Sequence, residues 1–277
     1  MIRTMATLRK LSGLVSRLRN RIRIVAAETR LTMRYRLSGP FWVDYKSVKL
    51  PFHGDGDRQE IYYHLDGKEW FETGCKMLSP YLPSGGVAID VGANLGLISG
   101  IMSTVVGPAG QVHSFEPSPV SYRKLQETIT VNGYKNIQTY NVGCGESDRS
   151  ITIYCPKSSG NATMRPDPGM ERSAIDRYTV NIVNLDAFLG PKLDRFDFFK
   201  VDSEGFEDEI VAGAVGILTK FKPVIYIELS AKHLASSQKA ANILTGLGYT
   251  FTPELDLENS ALGQNFFALP PKVTIAA

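Results

Sequence analysis

Lys200, Asp202 and Glu204 stand at alternate positions in FFKVDSEGFEDEI at 198–210, where an apolar run stops. If that strand continues, all three side chains face one side of a sheet. Two carboxylates there could take a proton from a hydroxyl, with the lysine holding a carboxylate in place. A positioned base of this kind adds about 10²–10⁴-fold to a rate. Glu228, near the end of VIYIEL at 224–229, is a weaker third candidate. Two other segments also end an apolar run on acids and glycines: AIDVGANLGLIS at 88–99 and FEPSP at 115–119. In an open parallel sheet the ligand crevice lies beyond the carboxyl ends of the strands, where such residues converge. The three segments describe a nucleoside-bearing ligand held over a sheet, with unused acidic groups beside it.

The elements that must position these residues can be read in turn. Val87 to Val91 is long enough for a buried strand. Gly92 and Gly96 bracket a turn in which backbone is expected to approach a ligand closely, and Asn94 tolerates left-handed torsions. Leu97 to Val106 then reads as a helix, stopped by Gly107-Pro108. A dinucleotide site asks for G-x-G-x-x-G; here Asn94 and Leu97 occupy the places of the second and third glycines, which disfavours NAD. Glu116 lies twenty residues beyond Gly96 and follows the strand Gln111 to Phe115. A carboxylate there can accept hydrogen bonds from both ribose hydroxyls. Ser118 is placed to cap a helix opened by Pro119, carrying Leu125 and Ile129 inward and closed by Asn132-Gly133.

DVGANLG, EPSP and KVDSEGFE, followed by VIYIEL, resemble the FkbM family of S-adenosylmethionine-dependent methyltransferases, over about residues 68–270. The glycine segment is shared by many class I methyltransferases. The K-x-D-x-E-G-x-E run at Lys200, Asp202, Glu204, Gly205 and Glu207 is more specific to this family. Ser203 departs from it, standing where an apolar residue is usual, which bears on the pocket floor. The resemblance implies an α/β fold: a Rossmann-like class I methyltransferase with a seven-stranded, mostly parallel sheet and an antiparallel last strand. It also implies S-adenosylmethionine as cofactor and methylation of a hydroxyl oxygen on a sugar, a glycan or lipid-linked glycan, or a secondary metabolite. By motif, Asp90, Gly92 and Asn94 would lie near the methionine part, with Ala93 and Gly96 in the same loop. Glu116, with Pro117 beside it, would hold the ribose. Asn141 and Val142 would lie near adenine, and Asp202 by the transferring methyl. An acid near the position of Glu72 precedes the glycine segment in the family, making Glu72 a further cofactor candidate; the plainer reading is a solvent-facing acid in a helix's first turn.

Composition fits one enzyme domain with an appendage. Of 277 residues, 43% are hydrophobic and 21% charged, ordinary for a globular protein. Cys75, Cys144 and Cys155 are too few and too scattered for a disulfide framework or a zinc site, and suit a reducing cytoplasm. His53, His64, His113 and His233 show no metal-ligand spacing, and no metal is expected, although the three acids could hold a divalent cation.

The charge is uneven. Residues 1–37 hold ten Arg or Lys and one acid, Glu28, so they carry +9 and leave −6 on the other 240 residues. Leu8, Leu11, Leu14, Leu18, Ile22 and Val25 recur at three- and four-residue steps, giving a helix one apolar face. Such an arm reads as docking on an anionic membrane surface or a partner. A transit peptide and a helix packed on the domain are the competing readings, and a secretory signal fits poorly for want of an uninterrupted apolar core. No run of about 18 apolar residues occurs, so nothing spans a bilayer. The expected location is cytoplasmic, with the arm holding the enzyme at the inner face of a membrane.

The expected organisation is a basic helical arm over 1–37, a cap segment over 38–86, the methyltransferase domain over 87–270 and a tail over 271–277. The cap should carry short strands at Phe41-Trp42-Val43 and Val48 to Phe52, then a helix from Trp70 to Leu82. Further strands are expected at Ile137 to Val142, Ile151 to Tyr154, Thr179 to Val183, Phe196 to Val201 and Val224 to Leu229, with a final hairpin at Tyr249 to Thr252 and Asn265 to Ala268. Phe206, Ile210, Val211, Ala214 and Leu218 predict one buried helix stripe, and a further helix runs from about Leu234 to Leu244. The polar loop SSGNATMRPDPG at 158–169 could close over the acceptor.

Two other functions compete. An RNA 2′-O-methyltransferase would use Lys200, Asp202 and the basic arm, but nucleic acid is an unexpected partner for an acidic catalytic domain without an aromatic–basic motif. A catalytically silent, membrane-associated binding protein is the other, and the acids at Asp90, Glu116 and Asp202 speak against such decay.

Overall fold

The computed structural model describes residues 22–27, 29–39, 41–44, 48–53, 71–156, 162–166, 175–257 and 264–271. Leu8 to Leu18, the turn cluster at 54–57 and most of the 158–169 loop lie outside these. Helix α1 covers the described residues from 22 to 38. A hairpin follows, in which β1 (Phe41–Asp44) pairs antiparallel with β2 (Lys49–Phe52). Helix α2 spans 71–78.

The central sheet then begins. β3 (Val87–Val91), α3 (Leu97–Val106), β4 (Gln111–Phe115), α4 (Pro119–Asn132) and β5 (Ile137–Tyr140) form two successive parallel crossovers. A small side sheet holds β6 (Gly143–Cys144), β7 (Arg149–Pro156) and β8 (Ile175–Val183), followed by the short helix α5 (Leu185–Phe188). β9 (Phe198–Val201), α6 (Glu207–Ala212), α7 (Val215–Phe221), β10 (Val224–Leu229), α8 (Leu234–Gly246), β11 (Thr250–Thr252) and β12 (Gln264–Leu269) complete the chain. The order β11-β12-β10-β9-β3-β4-β5 is the expected seven-stranded sheet, with β12 antiparallel to both neighbours.

Its central strands are mostly apolar because both faces are covered, with Asp90 on β3, His113 and Ser114 on β4 and Lys200 on β9 as buried polar exceptions. Ile89, Val91, Phe199 and Val201 pack toward α6, α7 and α8, while Ala88, Val112 and Phe198 pack toward α2 and α3. Helix α4 starts and stops as its sequence predicts: Ser118 Oγ accepts the Ser121 N–H at 3.4 Å, and Gly133 closes it at φ 69°.

Three expectations are corrected. The single helix after β9 is two, α6 and α7, because Gly213 abuts the side sheet: a Cβ there would lie 2.0 Å from the Gly145 carbonyl oxygen. The strand expected to reach Val142 ends at Tyr140, and the chain joins the side sheet at Gly143. The hairpin expected as a cap over the sheet packs on the helical layer: Val48 and Leu50 join the cluster around Leu97 and Ile101, and Asn132 at the end of α4 bonds Lys49 N and O, both at 2.8 Å.

Candidate active site

At the carboxyl ends of β3, β4 and β9 lies an open crevice of about 820 Å³. Its floor is organised by Lys200. Parallel register sets Lys200 beside Asp90, and their side chains pair at 3.2 Å with both almost wholly buried. Lys200 Nζ also donates to Gly92 O at 2.7 Å and Val91 O at 3.2 Å. Asp202 Oδ2 stands farther off, at 3.8 Å. The lysine therefore holds Asp90 and the turn backbone more closely than the candidate base. Asp90 Oδ2 accepts from Ser99 Oγ at 2.6 Å, and Ser114 Oγ donates onward to Ser99 at 2.9 Å. Asp90 thus ties β3, β9 and α3 together beneath the crevice.

The turn above them takes the left-handed torsions anticipated: Gly92 at φ 78°, Asn94 at 49° and Gly96 at 89°. Neighbouring protein crowds the same positions. A Cβ on Gly92 would sit 1.8 Å from the Asp202 carbonyl oxygen, and one on Gly96 would sit 2.7 Å from Leu125 Cδ1. The backbone contact fixes Gly92 as glycine, and the left-handed torsion favours it at Gly96.

Glu116 follows β4 and is 5% exposed. Its Oε2 accepts the Asn94 N–H at 2.9 Å, and its Oε1 accepts the Ser118 N–H at 2.8 Å. One carboxylate therefore clasps both the β3 turn and the start of α4. Burial pushes its pKa up to about 7, although the two N–H donors and the Lys200 charge pull the other way. A carboxylate offers about four acceptor positions, so two remain for hydroxyls. Asn141 supports this corner from outside, donating to Glu116 O at 2.9 Å and Pro117 O at 3.2 Å.

The acidic wall is built differently. β9 ends at Val201, so the alternation expected for Lys200, Asp202 and Glu204 fails beyond it. Glu204 and Gly205 turn left-handed, at φ 54° and 101°. Glu207 Oε1 holds this turn, accepting from Ser203 N at 3.0 Å, Ser203 Oγ at 2.9 Å and Gly205 N at 3.2 Å. The departure at Ser203 thus puts a hydroxyl on the crevice floor, directed to Glu207. Asp202 is 42% exposed at its side chain. Glu228 on β10 shares a hydrogen bond with it; burial and then the Asp202 charge push Glu228 up to about 8. Glu204 is raised as well, by burial first and then by Asp202.

A short strap, 162–166, roofs part of the space with Ala162 and Met164. Thr163 exchanges two 3.0 Å backbone bonds with Tyr154 and donates its hydroxyl to Glu204 O at 3.1 Å. Arg165 pairs with Asp208 at 2.9 Å, donates to Gly205 O at 2.9 Å and stacks over Phe206.

Of the residues anticipated from sequence, Gly92, Ala93, Asn94, Glu116, Pro117, Lys200, Asp202 and Glu204 line the crevice. Asp90 and Gly96 lie behind it, Asn141 braces it, Val142 packs against the core and Glu72 is exposed on α2. Ala162 and Met164 of the 158–169 loop, expected near the acceptor, also line the crevice, whereas sequence reasoning missed Ser121, Gly143 and Cys144. Only Ser121 carried a signal, one turn into a helix whose cap was already recognised.

The methyltransferase FkbM domain matches residues 90–251, more than half of the chain. The chain is 26% identical over 163 residues to Methyltransferase 1 of Beauveria bassiana, covering 53% of this chain and 65% of that protein. It is 29% identical over 179 residues to Methyltransferase sdnD of Sordaria araneosa, covering 53% and 66%. It thus spans just under two thirds of the length of these curated relatives. The crystal structure of Methyltransferase FkbM from Methylobacillus flagellatus superimposes with a TM-score of 0.47 at 18% identity, over 89% of this chain and 59% of that one.

Proposed function

The chain belongs to the FkbM methyltransferase family, whose cofactor is S-adenosylmethionine, and from that premise we propose that it methylates a hydroxyl oxygen on a sugar, a glycan or lipid-linked glycan, or a secondary metabolite. The observation that carries this reading is the half-exposed Asp202 carboxylate at the open edge of the crevice, beside Lys200 and Glu228. A hydroxyl is a poor nucleophile until its proton has somewhere to go, and Asp202 supplies that acceptor. Glu228 shares a hydrogen bond with Asp202 and helps to orient it.

The residues fit the cofactor. Glu116 has acceptor positions left for the ribose hydroxyls, and the turn from Gly92 to Asn94 borders the same space. Gly143, Cys144 and Met164 supply a small, largely apolar wall suited to adenine. S-adenosylmethionine supplies an electrophilic sulfonium methyl when bound, so the chain's task is alignment and proton removal. Holding the acceptor in line contributes most of the acceleration.

The test is transfer of tritium from methyl-labelled S-adenosylmethionine into cell extract, separated into glycolipid, polysaccharide, small-metabolite and RNA fractions. Label in a sugar or metabolite fraction, stable to mild alkali as an ether is, supports the reading. Label confined to RNA overturns it in favour of ribose methylation, and label in no fraction favours a silent binding protein.

A further inference from the structure

Helix α1 has two apolar sides, and the domain uses only one. Ala27 and Leu31 are buried against Phe52 of β2, with Ile24 and Tyr35 beside them. On the side away from the domain, Ile22, Val25, Met33 and Leu37 are 60%, 59%, 64% and 82% exposed. At 3.6 residues per turn these four fall within an arc of about 120°, which also holds Thr29 and the exposed Arg36. In the sequence, Leu8, Leu11, Leu14 and Leu18 recur at three- and four-residue steps ahead of it. Arg23, Arg30 and Arg34 run along one edge of it and are themselves exposed.

We propose that this outer face of α1 binds an anionic lipid surface, with the stripe at the level of the acyl boundary and the arginines at the phosphates. Charge complementarity selects this occupant. The arm carries +9. A second copy seated on the same face would bring two such charges together, whereas an anionic leaflet attracts them, and an apolar stripe flanked by arginine is the pattern of a helix lying in the interface plane. Among the described residues no helix is long and apolar enough to cross a bilayer, so the attachment is peripheral. The proposal is independent of the acceptor's identity.

Co-sedimentation of the full chain with phosphatidylcholine vesicles, with and without phosphatidylglycerol, tests it. Binding to the anionic vesicles should be at least about ten-fold tighter and should weaken as salt rises. The double variant M33E/L37E, altered at two exposed side chains, should lose about ten-fold of that binding through its apolar part while melting at the parent temperature. Equal binding to both vesicle types, or parent-like binding of M33E/L37E, overturns the proposal. So does a concentration-dependent dimer that M33E/L37E abolishes without any vesicle binding, which assigns the stripe to a second copy.

Discussion

After β4, Glu116 is nearly buried and each of its oxygens accepts a backbone N–H; at the end of β9, Asp202 leaves its carboxylate 42% exposed, with Lys200 3.8 Å away. Both acids line one crevice, yet the first is part of what shapes the crevice and the second is carried by a shape that others maintain. The clasp at the Asp202 end is Glu207, and the charge beneath it is the Lys200–Asp90 pair. A residue committed to the fold ties ligand affinity to stability. One released from that duty can be tuned for chemistry alone.

The largest test of this contrast is Asp202→Asn. Turnover should fall by about 10²–10⁴-fold, as loss of a base does, while melting temperature and cofactor affinity stay near the parent's. Near-parent turnover would show that Asp202 is structural and move the base to Glu204.

Lys200→Met should break the contrast from below. It strands the buried Asp90 carboxylate, which costs about 3–5 kcal/mol when one partner of such a pair is removed. Chemical denaturation would read this as a lowered midpoint with unchanged slope. A stability loss below about 1 kcal/mol, the range of exposed pairs, would mean that the ion pair is not the floor's support.

Glu116→Gln should lower affinity and stability together. An amide nitrogen cannot accept an N–H, so one arm of the clasp opens, and cofactor binding measured by calorimetry should weaken by about 1–3 kcal/mol. Loss of affinity without any loss of stability would separate the two duties. The parent should also show a pH signature. A carboxyl whose pKa rises on folding contributes stability fully below its ordinary value of 4.5 and loses it as pH climbs through about 7. Hydroxyl donors favour the ionised form, so cofactor binding should release close to one proton near pH 6, fading above pH 8. Calorimetry in buffers of different ionisation enthalpy measures that release, and Glu116→Gln should abolish it.

The smallest expected effect is at the roof. Arg165→Ala removes the pairing with Asp208 and the bond to Gly205 O. Since Arg165 is about a third exposed, the KM for the cofactor should rise only several-fold with kcat nearly kept, as loss of a positioning contact of about 1 kcal/mol would give. A fall in kcat with KM unchanged would place the strap's influence on the acidic turn.

The sequence showed local features well. Ser118, Gly133 and the left-handed Asn94 each announce themselves within a few residues, because caps and tight turns are decided there. The strand from Val87 was legible because a strand buried on both faces is largely a β-branched and apolar run, and the one from Gln111 because it lies between Gly110 and the Glu116-Pro117 turn. What remained hidden depends on register between distant strands. Nothing near Asp90 says that it will meet Lys200, 110 positions later, or that Gly92 is needed because the Asp202 carbonyl passes against it. The break at Gly213 is of the same kind, set by Gly145 of the side sheet. Asn141 and Val142 were placed near adenine by motif; Asn141 instead braces the Glu116 corner through backbone carbonyls, and the next residues, Gly143 and Cys144, line the crevice.

The join beneath the crevice also has a consequence for anyone altering this protein by random or combinatorial change. Positions 90, 92, 200 and 202 share one small volume: a charge pair, two carbonyls on the same ammonium, and a backbone oxygen where a side chain at 92 would begin. Substitutions there do not sum, because each residue's tolerance depends on what occupies the others. Varying the four independently would fill a library with dead clones even where a working combination exists. Exchanging Asp90 and Lys200 together for an apolar pair of matched volume, with Gly92 fixed, is the productive unit of search.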